Sequence, residues 1–167
     1  MFDIIDLPNA ATLHKLAERY PNLEISALET WLTLMRVAGD CMDNLDRFLA
    51  MRELTQRRFF VLILLLRNPE GLSISQLAKG TGVSCPTMTG VVDGLRKGQL
   101  VTRETADHDR RAFVVKITPA GQALLDEVLP AHYRRVSAIM AGLSETERNQ
   151  LQVLLTKVRA GLVATTR

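Results

Sequence analysis

The fold is decided by residues 73–118, which read SISQLAKGTGVSCPTMTGVVDGLRKGQLVTRETADHDRRAFVVKIT. The run Ser73-Ile-Ser-Gln76 fits a capping box, in which the serine hydroxyl accepts from the backbone and the glutamine reaches back, so a helix is predicted to follow it. After a short turn with two glycines, a second helix is predicted from near Ser84. Pro86 falls in its first turn, where a missing N–H costs nothing. Two short helices joined by a tight turn are typical of a helix-turn-helix.

The second of these helices is amphipathic. Its apolar face carries Met88, Val91 or Val92, and Leu95. Its opposite face carries Thr87, Gly90, Asp93 or Gly94, and Lys97. Gly98 is predicted to end the helix as the glycine at position C′, which is commonly left-handed.

From Leu100 the apolar residues recur at nearly every second position instead of at helical spacing, which predicts a two-stranded wing. Its polar tip carries Asp107, Asp109, Arg110 and Arg111. Adjacent arginines on a hairpin tip fit a DNA groove, because the guanidinium is always charged, planar and rich in donors. The alternative is a surface loop with an ordinary salt bridge, which contributes at most ~1 kcal/mol.

The rest of the chain is predicted to be helical. The expected helices cover residues 10–20, 27–51 and 55–67, a segment after Thr118-Pro119 that Pro130 kinks, and a last segment opened by the capping box Ser144-Glu-Thr-Glu147. The predicted fold class is mainly α with a small two-stranded β-wing: a winged helix-turn-helix flanked by N- and C-terminal helices.

Two apolar stripes lie outside the wing module. One consists of Trp31, Met35, Ala38, Met42, Leu45 and Leu49, and the other of Leu151, Leu154, Leu155, Val158 and Leu162. Such stripes require a packing partner, which is either the same subunit or a second copy.

Composition is that of a globular protein, with 47% hydrophobic and 23% charged residues. Residues 1–53 carry five Lys/Arg against nine Asp/Glu, an excess of −4, and residues 54–167 carry sixteen against nine, an excess of +7. This favours an anionic partner for the later part, although scattered surface charges give the same sum. The N-terminus lacks the features of a signal peptide, and Cys41 and Cys85 have no CxxC spacing, so a cytoplasmic protein is expected.

Neither a membrane span nor catalysis is predicted. The longest apolar run, Phe59 to Leu66, is far below the roughly 20 residues that a helix needs to span a bilayer. His14, His108 and His132 are isolated, and the glycines form neither a P-loop nor a dinucleotide fingerprint. We therefore expect no enzyme, no cofactor and no metal.

The ordered set of motifs resembles the MarR family of bacterial transcription regulators. The residues that carry the resemblance are Gln76-Leu77-Ala78, Val83-Ser84, Thr87-Met88-Thr89, Val92-Asp93-Gly94-Leu95, Gly98, Val101-Thr102-Arg103 and Asp109 to Gly121.

The resemblance implies a homodimer on double-stranded, pseudo-palindromic operator DNA. Dimerisation helices would lie in 1–53 and 119–167, with the winged helix-turn-helix DNA-binding domain in 54–118. Recognition helices would then sit about 34–36 Å apart, one turn of B-DNA. The family also implies a small-molecule effector, often an aromatic or phenolic anion.

The predicted DNA-binding residues are Ser73, Ser84, Pro86, Thr87, Thr89, Arg96, Lys97, Arg103, Asp109, Arg110 and Arg111. Hydroxyls at the start of the second helix meet phosphates and base edges, or else only cap the helix. Arg111 matches the family's minor-groove arginine and Asp109 the acid that orients it. Many relatives carry arginine at the positions held here by Cys85, Gly90 and Gly94, so guanine reading by a bidentate arginine is in doubt.

A ligand-responsive transcriptional repressor is the leading functional hypothesis. The alternatives are a winged helix that binds proteins, and a regulator that senses oxidants through Cys85 at a helix start, where the helix dipole stabilises a thiolate. DNA binding would weaken steeply with salt, which separates the first hypothesis from protein binding.

Overall fold

The computed structural model describes residues 8–106 and 109–165, and the side chains of 106 and 109–112 are outside that description. The elements in chain order are α1 (Ala10–Arg19), α2 (Ile25–Ala50), α3 (Gln56–Leu66), α4 (Ile74–Thr81), α5 (Cys85–Lys97), β1 (Val101–Ala106), β2 (Asp109–Ile117), α6 (Pro119–Ile139) and α7 (Glu145–Thr165). The predicted fold class is confirmed.

The apolar helix α3 is the centre of the molecule. It contacts α2, α4, α5, α6 and β2. Its side chains Phe59, Val61, Leu62 and Leu65 are buried, so nearly every turn of the helix meets a neighbour. The helix-turn-helix and the wing are therefore packed on one shared core, which fixes their relative positions.

The predicted N-terminal caps are present. Ser73 accepts from the Gln76 amide at 3.3 Å, and the Gln76 side chain accepts from the Ser73 amide at 2.8 Å. Ser144 and Glu147 form the same reciprocal pair before α7. Helix α6 continues without a break from Pro119 to Ile139 through Pro130, the residue at which the sequence predicts a kink.

The prediction for the end of α5 is wrong by one residue. Gly98 has φ −78°, and the left-handed residue is Gln99, with φ 57°. The amide of Leu100 donates to the Leu95 carbonyl at 3.0 Å, and that of Gln99 donates to Arg96 at 2.9 Å. These are the two bonds of a Schellman motif with Gln99 at C′. They satisfy the last carbonyls and turn Leu100 toward the core, which offsets the cost of a non-glycine residue at positive φ.

The wing is an antiparallel hairpin whose register pairs Val101 with Ile117 and Thr105 with Phe113. Residues two apart on a strand share a face, so Val101 and Val115 lie on the same face at the base of the wing, and both are buried. Val115 also exchanges two backbone hydrogen bonds with Leu72, of 3.0 and 2.8 Å. The base of the wing is thus attached to the chain segment before α4.

The junction between the wing and α6 is tightly packed. The Thr118 hydroxyl accepts from the Gly121 amide at 3.0 Å and donates to the Gln99 carbonyl at 2.7 Å. A Cβ added at Gly121 would overlap the carbonyl oxygen of Leu100 and lie 2.9 Å from Ile117 Cγ1. Glycine is therefore required where α6 crosses the start of β1.

The two apolar stripes have different surroundings in one chain. The C-terminal half of the α2 stripe, Leu45 and Leu49, is buried, whereas Trp31 and Met35 are 42% and 51% exposed. None of the described residues of α7 is buried. Cys41, which lies beside the α2 stripe, is exposed.

Candidate nucleic-acid interface

Both helices of the helix-turn-helix begin with a capped, exposed N-terminus. Ser84 accepts from the Thr87 amide at 3.3 Å, and its hydroxyl lies 2.9 Å from that of Thr87. Ser73 caps α4 in the same way, with its hydroxyl 3.0 Å from that of Ser75. Helix N-termini attract phosphate through free N–H groups and the helix dipole. The capping role of Ser73 and Ser84 is therefore established, and it leaves hydroxyl lone pairs for a ligand.

The outer face of α5 is polar and contains little charge until its last turn. Pro86, Thr89 and Lys97 are exposed. The Thr89 hydroxyl donates to the Cys85 carbonyl at 3.0 Å, so its proton is used within the helix. Arg96 lies 3.8 Å from Asp93 in an exposed pair, which holds it only weakly.

The wing presents two chemically different faces. On one, Arg103 lies over the ring of Phe113, with its Cζ 4.5 Å from the ring centroid. On the other, Lys116 Nζ lies 3.2 Å from Glu104 Oε2, and Thr102 donates to Glu104 at 3.1 Å. The hydrogen bond from Lys116, followed by that from Thr102 and the charge of Lys116, holds the pKa of Glu104 below its ordinary value. This second face is thus internally neutralised.

The predicted tip residues are placed only in part. Asp109, Arg110 and Arg111 lie at the start of β2, and Asp109 pairs with Ala106 across the hairpin. The side chains of these three residues, and all of Asp107 and His108, lie outside the described part of the chain. The helix-turn-helix and wing candidates do belong to one compact module, since α5 contacts both α4 and β1.

Two arginines that the sequence patterns did not single out, Arg57 and Arg58, line a cleft beside the recognition helix α5. The cleft has a volume of about 540 Å³ and is bordered by Asp46 of α2 and by Thr87 and Gly90 of α5. Neither guanidinium forms a hydrogen bond or ion pair with any residue in the described ranges. The cleft therefore offers two available cations between a long helix and the recognition helix.

Arg58 also contacts the recognition helix directly. A Cβ built on Gly94 would lie only 2.7 Å from Arg58 Nη2 and 3.5 Å from its Cζ. The absence of a side chain at Gly94 thus lets the guanidinium lie against the backbone of α5. No sequence signal indicated this contact, because the two residues are far apart in the chain.

A polar junction joins α2, α3 and α6. Arg135 donates through Nη1 to Asn44 and through Nη2 to Nδ1 of His132 at 3.1 Å. The His132 ring packs on Phe48 and Phe59, with centroids 5.8 and 5.4 Å apart. Burial, and then the positive charge of Arg135, lowers the pKa of His132, so the imidazole is neutral near pH 7 and accepts this bond.

The described residues contain no group of three or more His, Cys, Asp or Glu side chains placed to hold a metal ion. Within the same ranges, none of the helices is long and apolar enough to cross a membrane.

The arrangement defines a winged helix-turn-helix protein of the DNA-binding class. A model described as the MarR family matches residues 52–112. The chain is also 31% identical over 150 residues to the HTH-type transcriptional repressor YetL of Bacillus subtilis, covering 89% of this chain and 90% of that protein. The chain belongs to the MarR family and is a DNA-binding transcriptional regulator.

Solved structures agree with this fold. CouR from Rhodococcus jostii, bound to p-coumaroyl-CoA, is 26% identical with a TM-score of 0.69, over 77% of this chain and 90% of that one. Sco3205 from Streptomyces coelicolor, a MarR family regulator in complex with DNA, has a TM-score of 0.76 at 24% identity, over 84% and 89% of the two chains.

Proposed function

We propose that the protein is a homodimeric, effector-responsive repressor that binds a pseudo-palindromic operator and catalyses no reaction. The observation that carries the homodimer is α7, a helix of 21 residues without a single buried side chain in one chain. Leu154, Val163 and Leu162 are 57%, 57% and 47% exposed. So much apolar surface on one helix needs a partner.

The position of the cleft between α2 and α7 supports a second copy as that partner. An apolar cleft of about 450 Å³ lies between the two helices and is bordered by Leu34, Val37, Leu151 and Val158. We therefore assign dimerisation to residues 1–53 and 119–167 and DNA binding to 54–118. Because the target is chromosomal DNA, we place the protein in the cytoplasm.

DNA contacts are assigned to the helix-turn-helix and the wing. The hydroxyls of Ser73, Ser84, Thr87 and Thr89 with Pro86, the cations Arg96, Lys97, Arg103 and Arg110, and the minor-groove pair Asp109 and Arg111 form the proposed set. The exposed N-termini of α4 and α5 support this set, because phosphate binds there without a charged side chain. Because α5 carries no positive charge before Arg96 and Lys97 in its last turn, more of the affinity falls on the wing.

A binding experiment tests this proposal. The purified protein is titrated against a duplex from upstream of its own gene and against random duplex, at several salt concentrations. We expect the upstream duplex to bind about 10³-fold more tightly at physiological salt, and Arg111→Ala to weaken binding and reduce the salt slope. Arg134→Ala, an exposed charge on α6, serves as the control. Equal binding of both duplexes would contradict the operator proposal.

We place the effector in the cleft lined by Arg57 and Arg58. The relative CouR is bound to p-coumaroyl-CoA, which joins a phenolic group to an anionic carrier. Here, an aromatic anion that pairs with Arg58 draws the guanidinium away from Gly94 and alters the support of the recognition helix. The response requires that the anion prefer the arrangement that does not bind DNA.

Arg58→Gln tests the effector site. With 4-hydroxybenzoate as the probe, we expect the anion to release DNA from the unchanged protein and at least about tenfold less effectively from the variant, because a charge-assisted hydrogen bond is removed. Arg67→Gln, at the other end of α3, is the matched control. Release is followed by fluorescence anisotropy of labelled DNA. Equal release from Arg58→Gln would place the site elsewhere.

A further inference from the structure

We infer that Phe113 is a positioning residue for DNA binding: its ring holds the Arg103 guanidinium on one face of the wing, ready to meet a phosphate. The relevant distance is 4.5 Å from Arg103 Cζ to the centre of the Phe113 ring. This lies well within the range in which a cation is attracted to the face of an aromatic ring. Neither the family resemblance nor the sequence pattern assigns a role to Phe113.

The hairpin register explains why these two side chains meet. Arg103 pairs with Val115 and Thr105 pairs with Phe113, so Arg103 and Phe113 are diagonal neighbours on the same face. Diagonal neighbours in an antiparallel pair are within reach when both side chains are long or aromatic. Val115 at the base of this face is buried, whereas Phe113 is 47% exposed. Arg103 and Phe113 therefore lie on the part of the wing that extends beyond the core.

The charges of the wing favour Arg103 over Lys116 as the side chain that contacts a phosphate. Lys116 is paired with Glu104 on the opposite face. In contrast, the Arg103 side chain has no ion pair or hydrogen bond in the part of the chain that is described. Stacking on Phe113 restricts a long side chain without using any of its five N–H donors, all of which stay available to phosphate. The ring thus lowers the entropy that Arg103 loses when DNA binds.

A double-mutant cycle tests this inference. Binding of a random-sequence duplex of about 30 base pairs is measured over a range of salt for the unchanged protein, Arg103→Ala, Phe113→Leu and the double variant. We expect Arg103→Ala to reduce the salt slope by about 0.9 for each phosphate that is no longer neutralised, and Phe113→Leu to weaken binding about two- to fivefold. In the Arg103→Ala background, Phe113→Leu should cause no further loss of affinity. Phe113→Tyr, which keeps the aromatic face, should bind as the unchanged protein does.

Other outcomes overturn the inference. A loss of affinity from Phe113→Leu that persists in the Arg103→Ala background would show that the ring acts structurally. Unchanged or tighter binding by Phe113→Leu would show that the ring does not present Arg103 or withholds it from DNA. The random duplex makes the result independent of any operator sequence.

Discussion

Leu154→Asp is expected to convert the dimer into a monomer and to weaken operator binding by about 100-fold or more, since the two half-sites are then bound independently. Leu154 borders both the cleft between α2 and α7 and a second apolar cleft on α7. A carboxylate there would be buried without a partner in the dimer, at a cost of several kcal/mol. Sedimentation equilibrium should give 18.6 kDa, the mass of one chain.

Gln152→Asp introduces the same charge on the same helix and is the control for this substitution. Gln152 is polar and exposed, so its variant should remain a dimer and bind the operator. A dimeric Leu154→Asp protein would show that α7 is not the interface. A monomeric one with unchanged operator affinity would show that DNA binding does not need dimerisation.

Gly121→Ala should lower the free energy of unfolding by about 3 kcal/mol, the upper part of the range for overpacking. The added methyl group would overlap the Leu100 carbonyl oxygen and press on Ile117. Both neighbours belong to the base of the wing, and backbone atoms cannot move aside as a side chain can. Urea unfolding at one fixed protein concentration measures the change, because the stability of a dimer depends on concentration.

Gly142→Ala is the matched control, since no heavy atom lies within 4 Å of the added Cβ. Its stability should change by less than about 0.5 kcal/mol. If the two variants were equally stable, the close crossing of α6 and β1 would not be a constraint on folding. A destabilised Gly121→Ala protein should also bind DNA more weakly, because the wing begins at this crossing.

Local signals in the sequence were sufficient for most of the fold. Caps such as Ser73 with Gln76 and Ser144 with Glu147 involve residues three apart, so their hydrogen bonds are encoded within one turn of chain. The wing follows from strand periodicity. The end of α5 could not be predicted, because the choice between Gly98 and Gln99 as the left-handed residue depends on where Leu100 packs.

The candidate site was less predictable, since its new features come from contacts between distant segments. Arg58 approaches Gly94 only because α3 and α5 pack together. The sequence shows that the recognition helix is poor in arginine, but it does not show that Arg58 of α3 lies beside that helix. The diagonal meeting of Arg103 and Phe113 requires the hairpin register. The division of the α2 stripe into buried and exposed halves required the position of α3.

The glycines of α5 have a consequence for the order of the helix itself. Gly90 and Gly94 each disfavour helix by about 1 kcal/mol relative to alanine. The helix persists because Met88, Val92 and Leu95 are anchored in the core. The recognition helix is therefore held by its core-facing side and, at Gly94, by Arg58, whereas its backbone at Gly90 has no neighbour among the described residues and should open locally at a lower free energy than that of α3. Such a helix can adjust its curvature to the DNA that it meets.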